Sequence, residues 1–254
     1  MHKSLQEKEG KDVTVHPELF QRRSFLLKAG LATASAAVLL TGCNPEMIES
    51  SSDAAANPAG ARTAATNVDL GTGDVAVLNY AYLLEQLEAA FYTQAASSQR
   101  FLDRLTATDR RYFLEVRNHE IIHREFFKAA LGANAIPEVS FNFSSINFVN
   151  RNQVLATAKT FEDLGVAAYN GAGRFLETPA FLTLAGKIVS VEARHAAYFR
   201  EILGTYDRSM MDATAFAGDD IIDENGLDLA YTPAQVLAAA KPFINGEVKF
   251  DALA

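Results

Sequence analysis

Two short stretches of the sequence carry a glutamate and a histidine three residues apart. They are EIIH, with Glu120 and His123, and EARH, with Glu192 and His195. Positions three apart on a helix lie on one face, with Cβ atoms about 5–6 Å apart, so each pair can direct a carboxylate and an imidazole at one ion. Both pairs lie in apolar helical stripes, where ionisable side chains are rarely buried without a partner.

The sequence repeats itself around these pairs. EQLEAAFY, beginning at Glu85, aligns with EDLGVAAY, beginning at Glu162. EIIHREFF, beginning at Glu120, aligns with EARHAAYF, beginning at Glu192. Each half of the repeat therefore supplies one single glutamate and one Glu-x-x-His pair. Four carboxylates balance the charge of two divalent cations, and a mixed carboxylate and imidazole set suits iron or manganese better than structural zinc.

The alternative is a buried polar network that binds no metal. Two carboxylates 4 Å apart repel by about 4 kcal/mol at an effective dielectric constant of 20. We therefore expect a metal-free cluster to raise the pKa values of its carboxylates and to hold protons. We favour the metal site because the same residue types recur in the same register in both halves.

Two residues close to these positions have no counterpart in the repeat. Glu88 lies on the same stripe as Glu85 but aligns with Gly165, so we interpret it as a partner of the ligands or as a spare carboxylate. His119 aligns with Val191, and we expect it to face away from the site.

Two tyrosines do repeat. Tyr92 and Tyr169 lie two helical turns beyond Glu85 and Glu162. Each either donates a hydrogen bond to a carboxylate on another helix, as outer partners of metal ligands do, or belongs to an ordinary aromatic core.

Four long helical patterns position these side chains. Each is about 20 residues, or about 30 Å, long, which is the size of a four-helix bundle. They run from about 74 to 96, from 108 to 131 with a stop at Gly132, from 153 to 175, and from Pro179, capped by Thr178, to Gly204. The predicted fold class is therefore an all-α four-helix bundle with an internal two-fold repeat, over residues 74–204.

The chain continues into an acidic extension at residues 205–254. A short helix is predicted from Pro233 and is expected to pack on the bundle. Four acidic residues there could bind a cation, but we favour a solvated acidic loop; they are Asp219, Asp220, Asp223 and Glu224.

The N-terminal 42 residues have the plan of an export signal. Arg22 and Arg23 precede a 12-residue Ala-rich apolar run that is too short to span a bilayer. The paired arginines, followed by Phe and Leu, resemble a twin-arginine signal. The run ends in LTGC at Cys43, which resembles the lipobox of bacterial lipoproteins; the alternative is a free or buried cysteine.

These resemblances predict where the protein is located. Residues 1–42 would be a twin-arginine lipoprotein signal recognised by the translocase, and residues 43–73, rich in Ser, Ala and Pro, a flexible tether. The protein would be exported and held to a membrane of the bacterial envelope by a lipid anchor, in the periplasm or at the cell surface.

Composition sets broader limits. The 254 residues are 49% hydrophobic and 21% charged, which indicates a largely globular chain. The net charge is −8 with no basic stripe, which argues against a nucleic-acid partner. The single cysteine excludes an intramolecular disulfide. The sequence leaves the oligomeric state open, and a homo-oligomer is possible.

The order Glu, Glu-x-x-His, Glu, Glu-x-x-His on four helices resembles the ferritin-like superfamily of di-iron and di-manganese carboxylate proteins. LEQLEAAFY, FEDLGVAAYNGA and VEARHAAYFRE are similar to ferritin-like proteins related to plant desiccation-induced proteins. The resemblance implies two iron or manganese ions, with Glu120 and Glu192 as candidates to bridge them. It implies six ligands in all: Glu85, Glu120, His123, Glu162, Glu192 and His195.

The resemblance leaves the reaction open. One expectation is redox chemistry on oxygen, peroxide or ferrous iron; whether the protein is an enzyme stays undecided. The alternative is a non-catalytic envelope protein that serves stress or desiccation tolerance as a structural or binding component. An iron-storage cage fits poorly, because a lipid tether and an acidic tail would obstruct a closed shell.

Overall fold

Four long α-helices form the body of the molecule. The structure is a computed structural model that describes residues 67–207, 216, 218 and 220–250. Within these residues lie six α-helices: α1 (Gly73–Ser97), α2 (Gln99–Leu102), α3 (Ala107–Leu131), α4 (Arg151–Ala172), α5 (Pro179–Tyr206) and α6 (Pro233–Ala240). The predicted all-α four-helix bundle is confirmed.

The helices pack as two hairpins that correspond to the two halves of the repeat. Helix α1 packs mainly against α3, and α4 packs mainly against α5, while α1 and α4 meet between the hairpins. Helix α1 is buried along most of its length, including polar residues such as Asn79 and Gln86. The repeated segments therefore face each other across one interior.

Local chemistry sets several helix ends, but the N-terminal caps of α1 and α5 make no side-chain hydrogen bond. Gly132 adopts a φ of 54° and ends α3, as predicted, since glycine takes this conformation without a Cβ penalty. At the start of α5, Thr178 makes no side-chain cap. The carboxylate of Asp74 instead holds the two residues that precede the helix, accepting hydrogen bonds from the backbone N–H groups of Glu177 at 2.7 Å and Thr178 at 3.0 Å.

The segment that joins the two hairpins, residues 132–150, lies along α1. The side chain of Asn79 accepts from the N–H of Ile136 at 3.0 Å, and that of Gln86 accepts from the N–H of Val139 at 2.8 Å. These two buried amides therefore hold a non-helical segment against a helix.

The C-terminal extension also contacts the bundle. Tyr231 donates its backbone N–H to the carbonyl of Ala167 at 3.0 Å, and a Cβ at Gly171 would lie only 1.7 Å from the Tyr231 carbonyl oxygen. The Arg200 guanidinium binds both Asp163 and Asp220. Helix α6 begins at Pro233, as the sequence predicts.

Two short strands correct the predicted tether. Strand β1 (Val68–Asp69) pairs in parallel with β2 (Val248–Lys249). Val68 and Leu70, assigned to the tether from composition, are 1% and 0% exposed, so the packed part of the chain begins before α1. The predicted signal with Arg22 and Arg23, and the predicted lipidation site Cys43, lie outside the described residues. Among the described residues, no helix is both long and apolar enough to cross a membrane.

Candidate metal centre

The six predicted ligands converge in the interior of the bundle. Each of the four long helices contributes at least one: Glu85 from α1, Glu120 and His123 from α3, Glu162 from α4, Glu192 and His195 from α5. All four glutamates are 0% exposed. Such burial of four carboxylates needs compensating positive charge or protons.

One group of donor atoms, which we call the first half-site, comprises Glu85, Glu120, His123 and Glu192. These atoms all lie within 4.8 Å of one another. His123 Nδ1 is 2.9 Å from Glu192 Oε1, 3.4 Å from Glu85 Oε2 and 3.6 Å from Glu120 Oε2. The imidazole therefore faces three carboxylates at once.

The second half-site comprises Glu120, Glu162, Glu192 and His195, again within 4.8 Å of one another. His195 Nδ1 is 2.9 Å from Glu120 Oε1, 3.3 Å from Glu162 Oε2 and 3.9 Å from Glu192 Oε2. Glu120 and Glu192 belong to both half-sites. Each of them turns one carboxylate oxygen to His123 and the other to His195. This sharing is what a pair of bridged ions requires.

The donor set fits two metal ions. Within the described part of the chain, eight buried donor atoms of the cluster approach one another but make no hydrogen bond of good geometry: Glu85 Oε2, both Glu120 oxygens, His123 Nδ1, Glu162 Oε2, both Glu192 oxygens and His195 Nδ1. Buried polar atoms are seldom left unpaired, because each costs about 1–3 kcal/mol. Eight such atoms, four around each of two centres, are the donor set that two cations with carboxylate and imidazole ligands would satisfy.

Burial and mutual charge shift the pKa values of the clustered carboxylates. Burial raises the pKa of Glu85 to about 7 and also raises the pKa values of Glu162 and Glu192. Glu120 differs: burial acts to raise its pKa, but the adjacent imidazoles of His123 and His195 lower it to about 2. Protons held by the histidines and by the other carboxylates therefore supply the positive charge that metal ions would bring.

The two tyrosines hold the non-shared carboxylates from across the bundle. Tyr92 donates a hydrogen bond to Glu162 Oε1 at 2.5 Å, and Tyr169 donates one to Glu85 Oε1. Each glutamate thus has one oxygen bonded to a tyrosine and its other oxygen, Oε2, turned to the cluster. This is the outer-partner arrangement considered from the sequence, and it orients the carboxylates towards a common centre.

His119 does not face away from the site, contrary to the expectation from the repeat. Its Nδ1 lies 2.9 Å from Nε2 of His195, and the two rings stack with centroids 5.1 Å apart. One ring nitrogen of each histidine takes part in this contact, and the tautomers decide which ring donates. With a cation held at Nδ1 of His195, Nε2 would carry the proton and His119 would accept it. The repeat could not reveal this contact, because it joins α3 to α5 and the aligned residue, Val191, has no polar side-chain atom.

Glu88 lies beside the cluster but outside both half-sites. It is 4% exposed, and burial, followed by the charge of Glu192, raises its pKa well above the usual range. A Cβ at Gly165, the aligned residue, would lie 3.2 Å from Glu88 Oε1. The repeat breaks here because only one of the two equivalent positions has room for a side chain.

The acidic residues of the extension do not form a comparable group. Asp220 binds Arg200, and Asp223 accepts the N–H groups of Asn225 and Leu227 within its own turn. Asp219 lies outside the described residues.

Comparison with known proteins agrees with this architecture. The family model of the ferritin-like domain matches residues 73–205, more than half of the chain. Among the curated proteins, none matches this chain.

Proposed function

The chain belongs to the ferritin-like domain family, and we propose that it binds two divalent iron or manganese ions for redox chemistry on oxygen, peroxide or ferrous iron. The observation that carries the proposal is the pair of four-donor groups that share Glu120 and Glu192. Iron or manganese bound there would supply one-electron changes of oxidation state.

The residues of the chain have separate roles in this proposal. Glu120 and Glu192, which belong to both donor groups, would each offer an oxygen to either ion. Glu85 with His123, and Glu162 with His195, complete the separate donor sets. Each donor group offers four residues, fewer than the six ligands of an octahedral iron or manganese ion, so positions for a small molecule would stay open.

The surroundings of the cluster limit side reactions. The carboxylates are buried, so water reaches them poorly and the electrostatic attraction between ligands and ions is strong. Tyr92 and Tyr169 keep the two non-shared carboxylates oriented while the charge of the ions changes.

We also propose that the protein is exported in the folded state and anchored by a lipid at Cys43. Arg22, Arg23 and the LTGC stretch support this proposal. Folded export would permit metal loading in the cytoplasm, whereas copper and zinc would compete for the same ligands in the envelope. The amino-acid sequences of the helices also support a relationship to the ferritin-like proteins related to plant desiccation-induced proteins.

Metal content and activity test the central proposal together. Full-length protein reloaded with ferrous or manganous ions should hold two ions per chain by elemental analysis, at positions located by anomalous scattering. The loaded protein should consume peroxide or oxidise ferrous iron. Glu120→Ala should lose both properties, whereas Glu115→Ala, an exposed glutamate on the same helix, should keep them.

Two outcomes would contradict the proposal. A wild-type chain that holds less than about half an ion would remove the metal site itself. A chain that binds two ions but turns over neither oxygen, peroxide nor ferrous iron would leave the non-catalytic envelope role as the better account.

A further inference from the structure

A large cavity lies on the outer side of the second hairpin, between helices α4 and α5 and the C-terminal extension. Its volume is about 510 Å³, within the range of about 300–1,000 Å³ that is usual for small-molecule sites. Two contacts hold the extension there: the N–H of Tyr231 bonds to Ala167, and Asp220 binds Arg200. The described residues that line the cavity include none of the six predicted metal ligands, so it is separate from the metal centre.

Small side chains of α5 make room for this cavity. Three alanines line it at positions where the other half of the repeat has larger residues. The aligned pairs are Ala193 and Ile121, Ala196 and Arg124, and Ala197 and Glu125. Leu164 and Val166 of α4 and Ile221 and Leu229 of the extension add further apolar wall. The two halves agree in their ligands and differ on this outer side, so the metal centre does not require the three alanines.

One part of the cavity wall is charged. It consists of Lys159, Asp163, Arg200 and Asp220. The fully buried guanidinium of Arg200 is well paired, since it donates to both oxygens of each aspartate at 2.8–2.9 Å. The two positive and two negative charges of this cluster balance each other.

The ammonium group of Lys159 is the member of this cluster that can bind a further molecule. Its Nζ lies 3.4 Å from Asp163 Oδ2 and 3.6 Å from Asp220 Oδ2, farther than the roughly 2.7–2.9 Å of a charge-assisted hydrogen bond. An ammonium group has three N–H donors, so two distant carboxylates leave it able to donate to a ligand. Its side chain is only 17% exposed, and an acceptor in the cavity would supply a hydrogen bond that burial makes valuable.

Charge decides which acceptor fits beside Lys159. A ligand carboxylate would add a negative charge to a balanced cluster, and Asp228, which also lines the cavity, would repel it as well. An alkylammonium head has no lone pair with which to accept a hydrogen bond from Lys159. An uncharged carbonyl or hydroxyl oxygen accepts the hydrogen bond and leaves the charges balanced.

We propose that this cavity binds an uncharged amphipathic molecule. Its carbonyl or hydroxyl oxygen accepts a hydrogen bond from Lys159, and its aliphatic or aromatic body packs on the alanines of α5. Because an apolar cavity of about 150 Å³ binds benzene, a cavity of 510 Å³ accommodates a molecule of about 20 heavy atoms. This binding function goes beyond the proposed metal chemistry and does not depend on a metal ion.

A fluorescent probe tests the cavity in the full-length protein. N-phenyl-1-naphthylamine, an uncharged aromatic molecule, should bind and gain fluorescence. Ala197→Phe and Ala239→Phe place a ring in the cavity from α5 and from α6, and each should abolish this binding. The matched controls are Ala180→Phe and Ala234→Phe, at exposed positions of the same helices outside the cavity. Ala239 is itself exposed, so its variant remains informative if the phenylalanine at Ala197 disturbs folding.

Three competitors with chains of similar length test the head group. 2-Decanone should displace the probe at a lower concentration than decanoate or decylamine. Lys159→Met removes the donor and keeps an apolar side chain, and it should weaken the binding of 2-decanone about ten-fold or more, as loss of a hydrogen bond to a charged group does. The binding of the probe, which has no oxygen atom, should stay as in the wild type. Lys187→Met, which alters an exposed lysine of α5, is the control.

Each part of the proposal can fail separately. A probe that does not bind, or that binds both phenylalanine variants as it binds the wild type, overturns the cavity as a ligand site. Tighter binding of decanoate or decylamine than of 2-decanone overturns the uncharged head group. A Lys159→Met protein that binds 2-decanone as tightly as the wild type overturns the role of Lys159.

Discussion

The two half-sites have the same ligands in different surroundings. Around the second, Tyr92 is fully buried, and its ring packs against Phe91, Phe113 and Phe199. Around the first, Tyr169 is partly buried and borders an apolar pocket of about 30 Å³ that residues of all four long helices line. The histidines differ as well: His195 stacks on His119, while the side chain of His123 is 12% exposed.

The comparison separates two requirements of a duplicated site. Ligand geometry is the same in both halves, because both must present a glutamate, a histidine and the shared carboxylates to one centre. Packing is free to differ, so one end is filled by aromatic rings and the other keeps space and access. The second half-site is therefore the more densely packed of the two.

The largest effect is expected from a carboxylate that belongs to both half-sites. Glu192→Ala should reduce the metal content from two ions to almost none, because both donor groups lose a ligand. Glu162→Ala, which touches only the second half-site, should leave one ion. Native mass spectrometry of the loaded proteins distinguishes these states. Loss of both ions from Glu162→Ala would mean that the half-sites do not act separately.

The next effect concerns packing at the two ends. Phe199→Ala and Phe127→Ala alter aligned residues, and removal of a buried phenylalanine side chain costs about 3–5 kcal/mol. The loss for Phe199→Ala should be at the upper end of this range, since Phe199 contacts the rings of Tyr92 and Phe113. Phe127 borders the pocket and should cost less. Urea unfolding of the metal-free proteins measures the difference, and equal losses would argue against a looser first half-site.

A third effect is the pH dependence of metal-free stability. Burial raises the pKa of Glu85 from 4.5 to about 7, so between these values the folded chain keeps a proton that the unfolded chain has lost. Stability from this group is present below pH 4.5 and is lost as the pH rises through 7, by up to about 3 kcal/mol.

Glu85→Gln should therefore flatten the fall in the free energy of unfolding between pH 5 and 7. Glu162→Gln is the matched variant in the second half-site and should also flatten it, because burial raises the pKa of Glu162 as well. The measurement is a series of urea unfolding curves across this range. A profile that Glu85→Gln leaves unchanged would place the proton elsewhere in the cluster.

The smallest effect is expected at His119. His119→Ala removes the acceptor of the His195 Nε2 proton, and loss of such a partner typically lowers metal affinity by about 10–100-fold. Only the second of two ions should be affected in a competitive titration with a chelator. Asn118→Ala, at the exposed neighbouring position, is the control. Equal weakening of both ions would make His119 a residue of general stability.

Much of the bundle could be predicted because helix periodicity is a local property. Spacing of three residues placed Glu120 with His123 and Glu192 with His195 on common faces, and the repeat selected Glu85 over Glu88. The contact of His119 with His195 could not be predicted, since periodicity describes a single helix. It does not show which residues of a neighbouring helix the side of that helix contacts. The tether prediction failed at Val68 and Leu70 because composition cannot show a strand partner some 180 residues away.

The sequence by itself determined the helices, their inward faces and the pairing of ligand types between the two halves, because these depend on residues a few positions apart. Only the tertiary structure decided which carboxylates are shared, which tyrosine reaches which glutamate and where space remains beside Tyr169. Those features arise where side chains from four helices meet, and their outcome depends on volumes that must fit together in three dimensions.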